Sequence, residues 1–158
     1  MAGLQLVDAL NVADRRDEAA HAYDVQSRLG NLRLNATARV EPYADGTVVA
    51  DGGRAVVGHE SFDVKATPGR DLVMVMRTSN EAGANLMRAD GSRRMMIAFG
   101  EAGLSVEVNG TVAGRLAFVP RPGWDEKTLR VPAALVTGER VRLRLAGRYA
   151  AYRYWFYQ

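Results

Sequence analysis

The chain of 158 residues is long enough to bury one hydrophobic core, and its 47% hydrophobic and 25% charged residues are typical of a folded globular protein. The lack of cysteine excludes disulfides, thiolate nucleophiles and cysteine-ligated metal sites. The longest apolar runs, Leu72–Met76 and Pro132–Val136, are far shorter than the ~20 residues that span a bilayer, so no membrane insertion is expected.

The formal charge of +3 points first to a nucleic-acid or anionic-surface partner. The basic residues, however, are scattered singly along the chain. Only Arg15–Arg16 and Arg93–Arg94 are adjacent, and each pair lies close to an acidic residue. Because a phosphate-binding surface needs clustered basic residues, nucleic acid is not expected as a partner.

Residues 1–30 are interpreted as an N-terminal strand and loop region. The stretch Asp14–His21 begins with a capping aspartate and has acids in its first turn, which predicts a short helix. Asp8, Asn11 and Asp14 supply oxygen atoms of the kind that Ca²⁺ prefers. Two interpretations stay open: a calcium site at these residues, or a solvated loop with a helix cap, which is favoured.

From Leu32 onward, apolar and polar residues alternate with turn signals at the spacing of a β-sandwich or barrel. The segment Leu72–Met76 is apolar on both faces and predicts a central strand. In the first of the alternating segments, the residues predicted to face the core are Leu32, Leu34, Ala36 and Ala38.

Turn residues divide the chain between positions 40 and 65. Asp45-Gly46 predicts a hairpin, and Asp51–Gly53 predicts a second turn into a short strand, Ala55–Val57. A further strand is predicted after Gly58.

The second half of the chain continues the pattern. Arg94–Phe99 and Leu104–Val108 read as strands, and Asn109-Gly110 is the strongest hairpin signal in the sequence. Pro132–Val136 suits at most a turn of helix, and Val141–Leu145 alternates again. The sequence therefore predicts an all-β antiparallel sandwich of nine or ten strands, forming a single domain over residues 1–158.

The segment Val106–Leu145 reads VEVNGTVAG, then GWDEKTLRVPAALV, then GERVRLRL. It resembles the galactose-binding-domain-like jelly rolls that occur as carbohydrate-binding modules and as accessory domains of glycoside hydrolases. In that family a VxVNGxxVG hairpin is followed by an aromatic residue, an xxVPxxLxxG connection and an alternating strand. The resemblance implies a jelly-roll fold, a carbohydrate ligand and a place in an extracytoplasmic protein or assembly.

Catalytic motifs are missing from the sequence. There is no GxSxG elbow, no SxxK and no Walker loop, and a three-histidine metal site cannot form from His21 and His59 alone. The adjacent carboxylates Asp17-Glu18 and Asp125-Glu126 could serve a glycosidase, but charged loop residues explain them more simply. We therefore do not expect an enzyme.

The C-terminal stretch RYAAYRYWFYQ, residues 148–158, holds half of the twelve aromatic residues of the chain. In an extended strand, Tyr152, Tyr154 and Phe156 face one side. Arg153, Trp155 and Tyr157 face the other. One row must enter the core. The second row could be covered surface, a protein interface or a platform on which sugar rings stack.

Two functions follow from these observations. The favoured one is a non-catalytic carbohydrate-binding module whose ligand contacts Trp155, Tyr157, Arg153 and Trp124. The alternative is a structural or interaction domain that self-associates or contacts its parent protein and has no small-molecule ligand. No cofactor is expected beyond the calcium considered above.

Overall fold

Two antiparallel sheets face each other in the computed structural model, which describes residues 3–28, 36–79, 103–118 and 122–158. The elements in chain order are β1 (Leu6–Asn11), α1 (Arg15–Ala20), β2 (Asp24–Ser27), β3 (Ala36–Pro42), β4 (Val48–Lys65), β5 (Leu72–Ser79), β6 (Leu104–Val108), β7 (Thr111–Leu116), β8 (Trp124–Val131), a 3₁₀ turn (Ala133–Leu135), β9 (Arg140–Ala151) and β10 (Arg153–Tyr157). No helix in these ranges is long and apolar enough to cross a membrane.

The first sheet has the strand order β1-β10-β5-β8, and the second has the order β2-β4-β9-β6-β7. β3 pairs with the first part of β4 and forms with it a two-stranded ribbon, here called the β3–β4 ribbon (Ala36–Arg54). β9 of the second sheet leads directly into β10 of the first, through Tyr152. The all-β antiparallel sandwich predicted from the sequence is confirmed.

The core lies between the two sheets and consists of the apolar residues that alternate along each strand. The predicted inward rows of β6 and β9 are confirmed, because both are fully buried. The largest side chains with no exposed surface in this core are Leu10, Phe62, Leu72, Met74, Met76, Leu104, Leu143, Leu145, Tyr154 and Phe156.

The C-terminal strand is paired on both edges, and one of its faces is buried in the core. β10 pairs with β1 on one edge and with β5 on the other, and Tyr154 and Phe156 project into the core. Beyond the strand, the backbones of Gln5 and Gln158 exchange hydrogen bonds of 2.9 and 3.0 Å. The side chain of Gln158 also accepts a 2.6 Å hydrogen bond from the backbone N–H of Thr67. The tail is therefore held by both core packing and backbone pairing.

Several local predictions are confirmed. Asp14 caps α1 by accepting hydrogen bonds from the backbone N–H groups of Arg16 and Asp17. Asn109 and Gly110 both have positive φ, as a tight hairpin between β6 and β7 requires. The predicted central strand is β5, which pairs with both β10 and β8.

The division of residues 48–65 into three short strands is wrong. β4 runs unbroken through its glycines over 18 residues. Gly53 and Gly58 do not turn the chain; they let neighbouring backbones approach. A Cβ on Gly53 would lie 2.3 Å from the carbonyl oxygen of Ala151, and one on Gly58 would lie 2.2 Å from that of Gln26.

The predicted face of β3 is also wrong. Ala36 and Ala38 are exposed, whereas Thr37 and Arg39 are half-buried. The reason is that the β3–β4 ribbon uses its polar side to cover the end of the sandwich. The other parts of that prediction, Leu32 and Leu34, lie outside the described residues, as does the predicted strand Arg94–Phe99.

The close approach at Gly53 yields a matched pair of variants. We expect Gly53→Ala to destabilise the protein by about 1–3 kcal/mol, because the new methyl group meets the backbone of Ala151 and the ring of Tyr152. Gly52→Ala should have a much smaller effect, since its Cβ would meet only the Ala13 side chain, at 4.0 Å. Urea unfolding of both variants measures the difference. Equal losses would contradict the close contact at position 53.

One carboxyl group is fully buried between the sheets. Glu60 accepts hydrogen bonds from the hydroxyls of Tyr23, at 2.5 Å, and Tyr154. Burial raises the pKa of the Glu60 carboxyl above its ordinary value of 4.5, and the hydrogen bonds from the tyrosine hydroxyls lower it only in part. Burial in the core therefore makes the charged form of Glu60 less favourable than it is in water.

This raised pKa predicts how stability depends on pH. Above pH 4.5 the unfolded chain releases the Glu60 proton while the folded chain keeps it, so the free energy of unfolding falls as pH rises towards the folded-state pKa. Its stabilising contribution is complete only below pH 4.5. Glu60→Gln should remove this slope, which is at most about 1.4 kcal/mol per pH unit.

Urea unfolding of Glu60→Gln and wild type at several pH values between about 4 and 8 measures the effect. Glu139→Gln, at an exposed position, is the control and should follow the wild-type profile. Parallel profiles for wild type and Glu60→Gln would contradict a shifted carboxyl at this position.

Candidate functional site

The outward row of β10 forms the centre of the candidate site. Strand alternation places Tyr154 and Phe156 in the core and leaves Arg153, Trp155 and Tyr157 half-buried on the outer face of the first sheet. The predicted division of the tail into two rows is thus confirmed. We call the outward residues, together with Tyr43 and Arg77, the aromatic face.

Arg77 holds the aromatic rings of this face together. It lies on β5 directly opposite Arg153, and its guanidinium carbon is 4.9 Å from the ring centroid of Trp155 and 5.4 Å from that of Tyr43. Its Nε donates a 2.7 Å hydrogen bond to the Tyr43 hydroxyl, and its Nη1 donates one of the same length to Asp51. A cation in contact with several rings and a carboxylate fixes their relative positions.

Tyr43 reaches the face from the β3–β4 ribbon, just beyond the end of β3. Its hydroxyl accepts from Arg77 and donates a 2.6 Å hydrogen bond to Glu126 on β8. Burial, and then the hydrogen bond to Glu126, raise the pKa of Tyr43 to about 12. The phenol therefore stays protonated at physiological pH and joins the ribbon to the sheet.

Trp124 does not belong to the exposed face, which corrects its predicted role in ligand contact. It is only 2% exposed, and its ring meets Tyr152 edge-on with a centroid distance of 4.6 Å. Its indole N–H donates a 2.9 Å hydrogen bond to the carbonyl of Val49 in the ribbon. Tyr43 and Val49 of the ribbon pack against the cluster that contains Trp124, and the guanidinium carbon of Arg77 lies 5.7 Å from the centroid of its ring, so the buried ring is not open to a ligand.

Sequence reasoning identified the row on β10 but missed Arg77, Tyr43 and Asp51. Arg77 is separated from Trp155 by almost half the chain, so its place depends on the pairing of β5 with β10. A single sequence carries one weak signal for it: an arginine that directly follows an apolar central strand needs a partner for its charge.

The three residues predicted as calcium ligands have other partners. Asp8 accepts a 2.7 Å hydrogen bond from the backbone N–H of Lys65, and the Asn11 side chain donates one of 2.6 Å to Asp17. Asp14 is occupied as the helix cap. Over the four described ranges, no group of three histidine or acidic residues is arranged to hold a metal ion. Calcium binding by this segment stays a prediction.

The adjacent carboxylates each contact a cation or a hydrogen-bond donor. Asp125 pairs with Lys127 at 2.8 Å, and Glu18 pairs with Arg54.

The two histidines differ in burial and in their contacts. His21 is buried, with Nδ1 2.7 Å from the carbonyl of Asp17, whereas His59 is half-buried in the middle of β4. These contacts give the groups structural partners within the fold.

Comparison with solved structures places this architecture among known folds. The family 6 module CBM6cm-2 of lichenase 5A from Cellvibrio mixtus, solved with cellotriose, aligns over 98% of both chains with a TM-score of 0.54 and 10% identity. A family 35 carbohydrate-binding module from an environmental isolate aligns over 93% of this chain and 90% of its own, with a TM-score of 0.52 and 11% identity.

The fold is the jelly roll of carbohydrate-binding modules. The resemblance read from Val106–Leu145 is thereby confirmed for the fold. No protein-family profile matches the sequence, and no curated protein matches it. At such low identity the structural likeness establishes architecture and says nothing about individual ligand contacts.

Proposed function

We propose that this chain is a non-catalytic carbohydrate-binding module and that the aromatic face is its binding surface. The observation that carries the proposal is the row Arg153, Trp155 and Tyr157, half-buried on the outside of a sandwich whose fold is that of carbohydrate-binding modules. The proposed binding of sugar depends on these side chains and does not require a bound calcium ion.

The chemistry of the face suits a sugar. The C–H faces of a pyranose ring pack against indole and phenol rings, while its hydroxyls need hydrogen-bond partners beside the rings. Trp155 and Tyr157 provide aromatic surface, separated by ~7 Å along the strand. Arg153 lies on the same side of the sheet as these rings and supplies hydrogen-bond donors. A site of a few polar groups around apolar surface is typical of small-ligand binding.

The rings are also preorganised, which reduces the entropy lost when a ligand binds. Arg77 is buried, contacts Trp155 and Tyr43, and is itself fixed by Asp51. The ligand would therefore meet rings that already occupy their bound positions.

The test is binding of oligosaccharides, first on a glycan array and then by isothermal titration calorimetry. We expect Trp155→Ala to weaken the affinity for any sugar that binds by about 10-fold or more, because an aromatic contact at the centre of an interface is lost. Val112→Ala, an exposed change at the edge of the other sheet, should leave the affinity unchanged. Undiminished binding by a folded Trp155→Ala protein would remove the aromatic face as the site.

A second candidate function, self-association, is favoured by the outer side of the β3–β4 ribbon. The exposed residues on this side of the two strands are uncharged, and two of its valines, Val40 and Val48, are 68% and 62% exposed. Exposed apolar surface of this kind marks interaction sites, and a second copy of the chain would bring an identical uncharged face. The outward residues of the ribbon are Ala36, Ala38, Val40, Pro42, Val48 and Ala50.

Sedimentation velocity over a range of concentrations tests this candidate. We expect the wild type to dimerise with increasing concentration and Val40→Asp to stay monomeric, because the substitution places a charge in the middle of the apolar face. Val112→Asp changes a valine of similar exposure, 61%, on β7 and should dimerise like the wild type. A wild type that remains monomeric at all concentrations would exclude this function.

A further inference from the structure

Arg153 is half-buried and forms no ion pair with any carboxylate in the part of the chain that the structure describes. It is the first residue of β10 and lies between Asn11 of β1 and Arg77 of β5. Its guanidinium carbon is 5.3 Å from the ring centroid of Trp155. Its Nε is the one buried side-chain nitrogen or oxygen, among the residues the structure describes, that has no hydrogen-bond partner. Such an atom in a native fold calls for an explanation.

The other buried and half-buried arginines differ from Arg153 in their ion pairing. In the described ranges, every other arginine that is buried or half-buried forms an ion pair with a carboxylate, whereas Arg153 has none there. Arginines without such a pair are otherwise exposed, where water solvates the charge. The paired ones are Arg39 with Glu41, Arg54 with Glu18, Arg77 with Asp51, Arg142 with Asp63, and Arg144 with Glu107.

The acids around Arg153 are already engaged. Asp51 is bound to Arg77, and Glu126 accepts from Tyr43. Across β1, Asp17 accepts hydrogen bonds of 3.0 and 2.6 Å from the backbone and side chain of Asn11. None of these carboxylates can move to Arg153 without leaving another donor unpaired. A negative group from outside the chain would pair with the guanidinium through its Nη groups, because only the Nε is buried.

We propose that Arg153 binds the carboxylate of an acidic sugar, so that the ligand of the aromatic face is a glycan containing uronate residues. The inference rests on the proposed function and specifies its ligand class. A guanidinium presents parallel N–H groups that match the two oxygens of a planar carboxylate. The uronate ring then lies beside Trp155 and Tyr157, which are on the same face.

The test compares matched ligands by isothermal titration calorimetry. The probes are a galacturonate trisaccharide, its methyl ester, and a neutral galactose trisaccharide. We expect the acid to bind about 10-fold or more tightly than either neutral probe, because a charge-assisted hydrogen bond is lost in both. Its affinity should also fall as sodium chloride is raised, unlike that of the neutral probes.

Variants at position 153 separate charge from geometry. Arg153→Gln should abolish the preference for the acid and weaken the binding of neutral sugar only slightly, because glutamine keeps an N–H donor but not the charge. Arg153→Lys should keep only part of the preference for the acid, since an ammonium group lacks the two parallel N–H donors of a guanidinium. Arg148→Gln, an exposed arginine near the end of β9, is the control for net charge and should keep the full preference. Equal thermal midpoints show that each variant is folded.

Each outcome decides between the proposals. If neutral sugars bind through Trp155 but the acid gains nothing, the uronate inference is wrong and the proposed function stands. If the acid preference survives in Arg153→Gln, another cation is responsible and the inference is again overturned. A sulfated galactose trisaccharide serves as a further probe, and tighter binding of sulfate than carboxylate would reassign the anion. If no sugar binds at all, both proposals fail.

Discussion

The position of β10 between β1 and β5 is the constraint on which the rest of the molecule depends. Because side chains alternate along a strand, this one register sends Tyr154 and Phe156 into the core and turns Trp155 and Tyr157 outward. A shift by one residue would exchange the two rows and expose the core rings. The same pairing therefore stabilises the sandwich and creates its aromatic surface.

That register also brings Arg77 beside Trp155. A buried guanidinium is costly unless its donors are satisfied, and Arg77 meets this demand with the Tyr43 hydroxyl and the Asp51 carboxylate, both from outside the first sheet. The β3–β4 ribbon is thus tied to the end of the sandwich by the group that orders the rings. Its inner side covers Trp124 and Tyr152, while its outer side is left apolar.

The fold treats its buried charges in two different ways. Arg54 and Glu18 pair inside the protein, whereas Glu60 is enclosed by tyrosine hydroxyls and its pKa is raised by burial. Arg153 follows neither solution, because its charge is half-buried and has no carboxylate partner among the described residues. An arginine stays charged at any physiological pH, which is why the proposal assigns it an anion of the ligand.

Two-residue alternation determined the fold class, because it fixes which face of each strand is buried whatever the strand pairs with. It located β5, β6 and β9, the hairpin at Asn109-Gly110 and the outward row of β10 before any pairing was known. Glycine misled the sequence analysis in β4, since the sequence does not distinguish a glycine that turns the chain from one that admits a neighbouring backbone at 2.3 Å. Only the tertiary structure brought Arg77, Tyr43 and Asp51 to Trp155, buried Trp124 beneath the ribbon and left the Nε of Arg153 buried without a hydrogen-bond partner among the described residues. These facts arise from contacts between distant segments, and local periodicity contains no information about which segments meet.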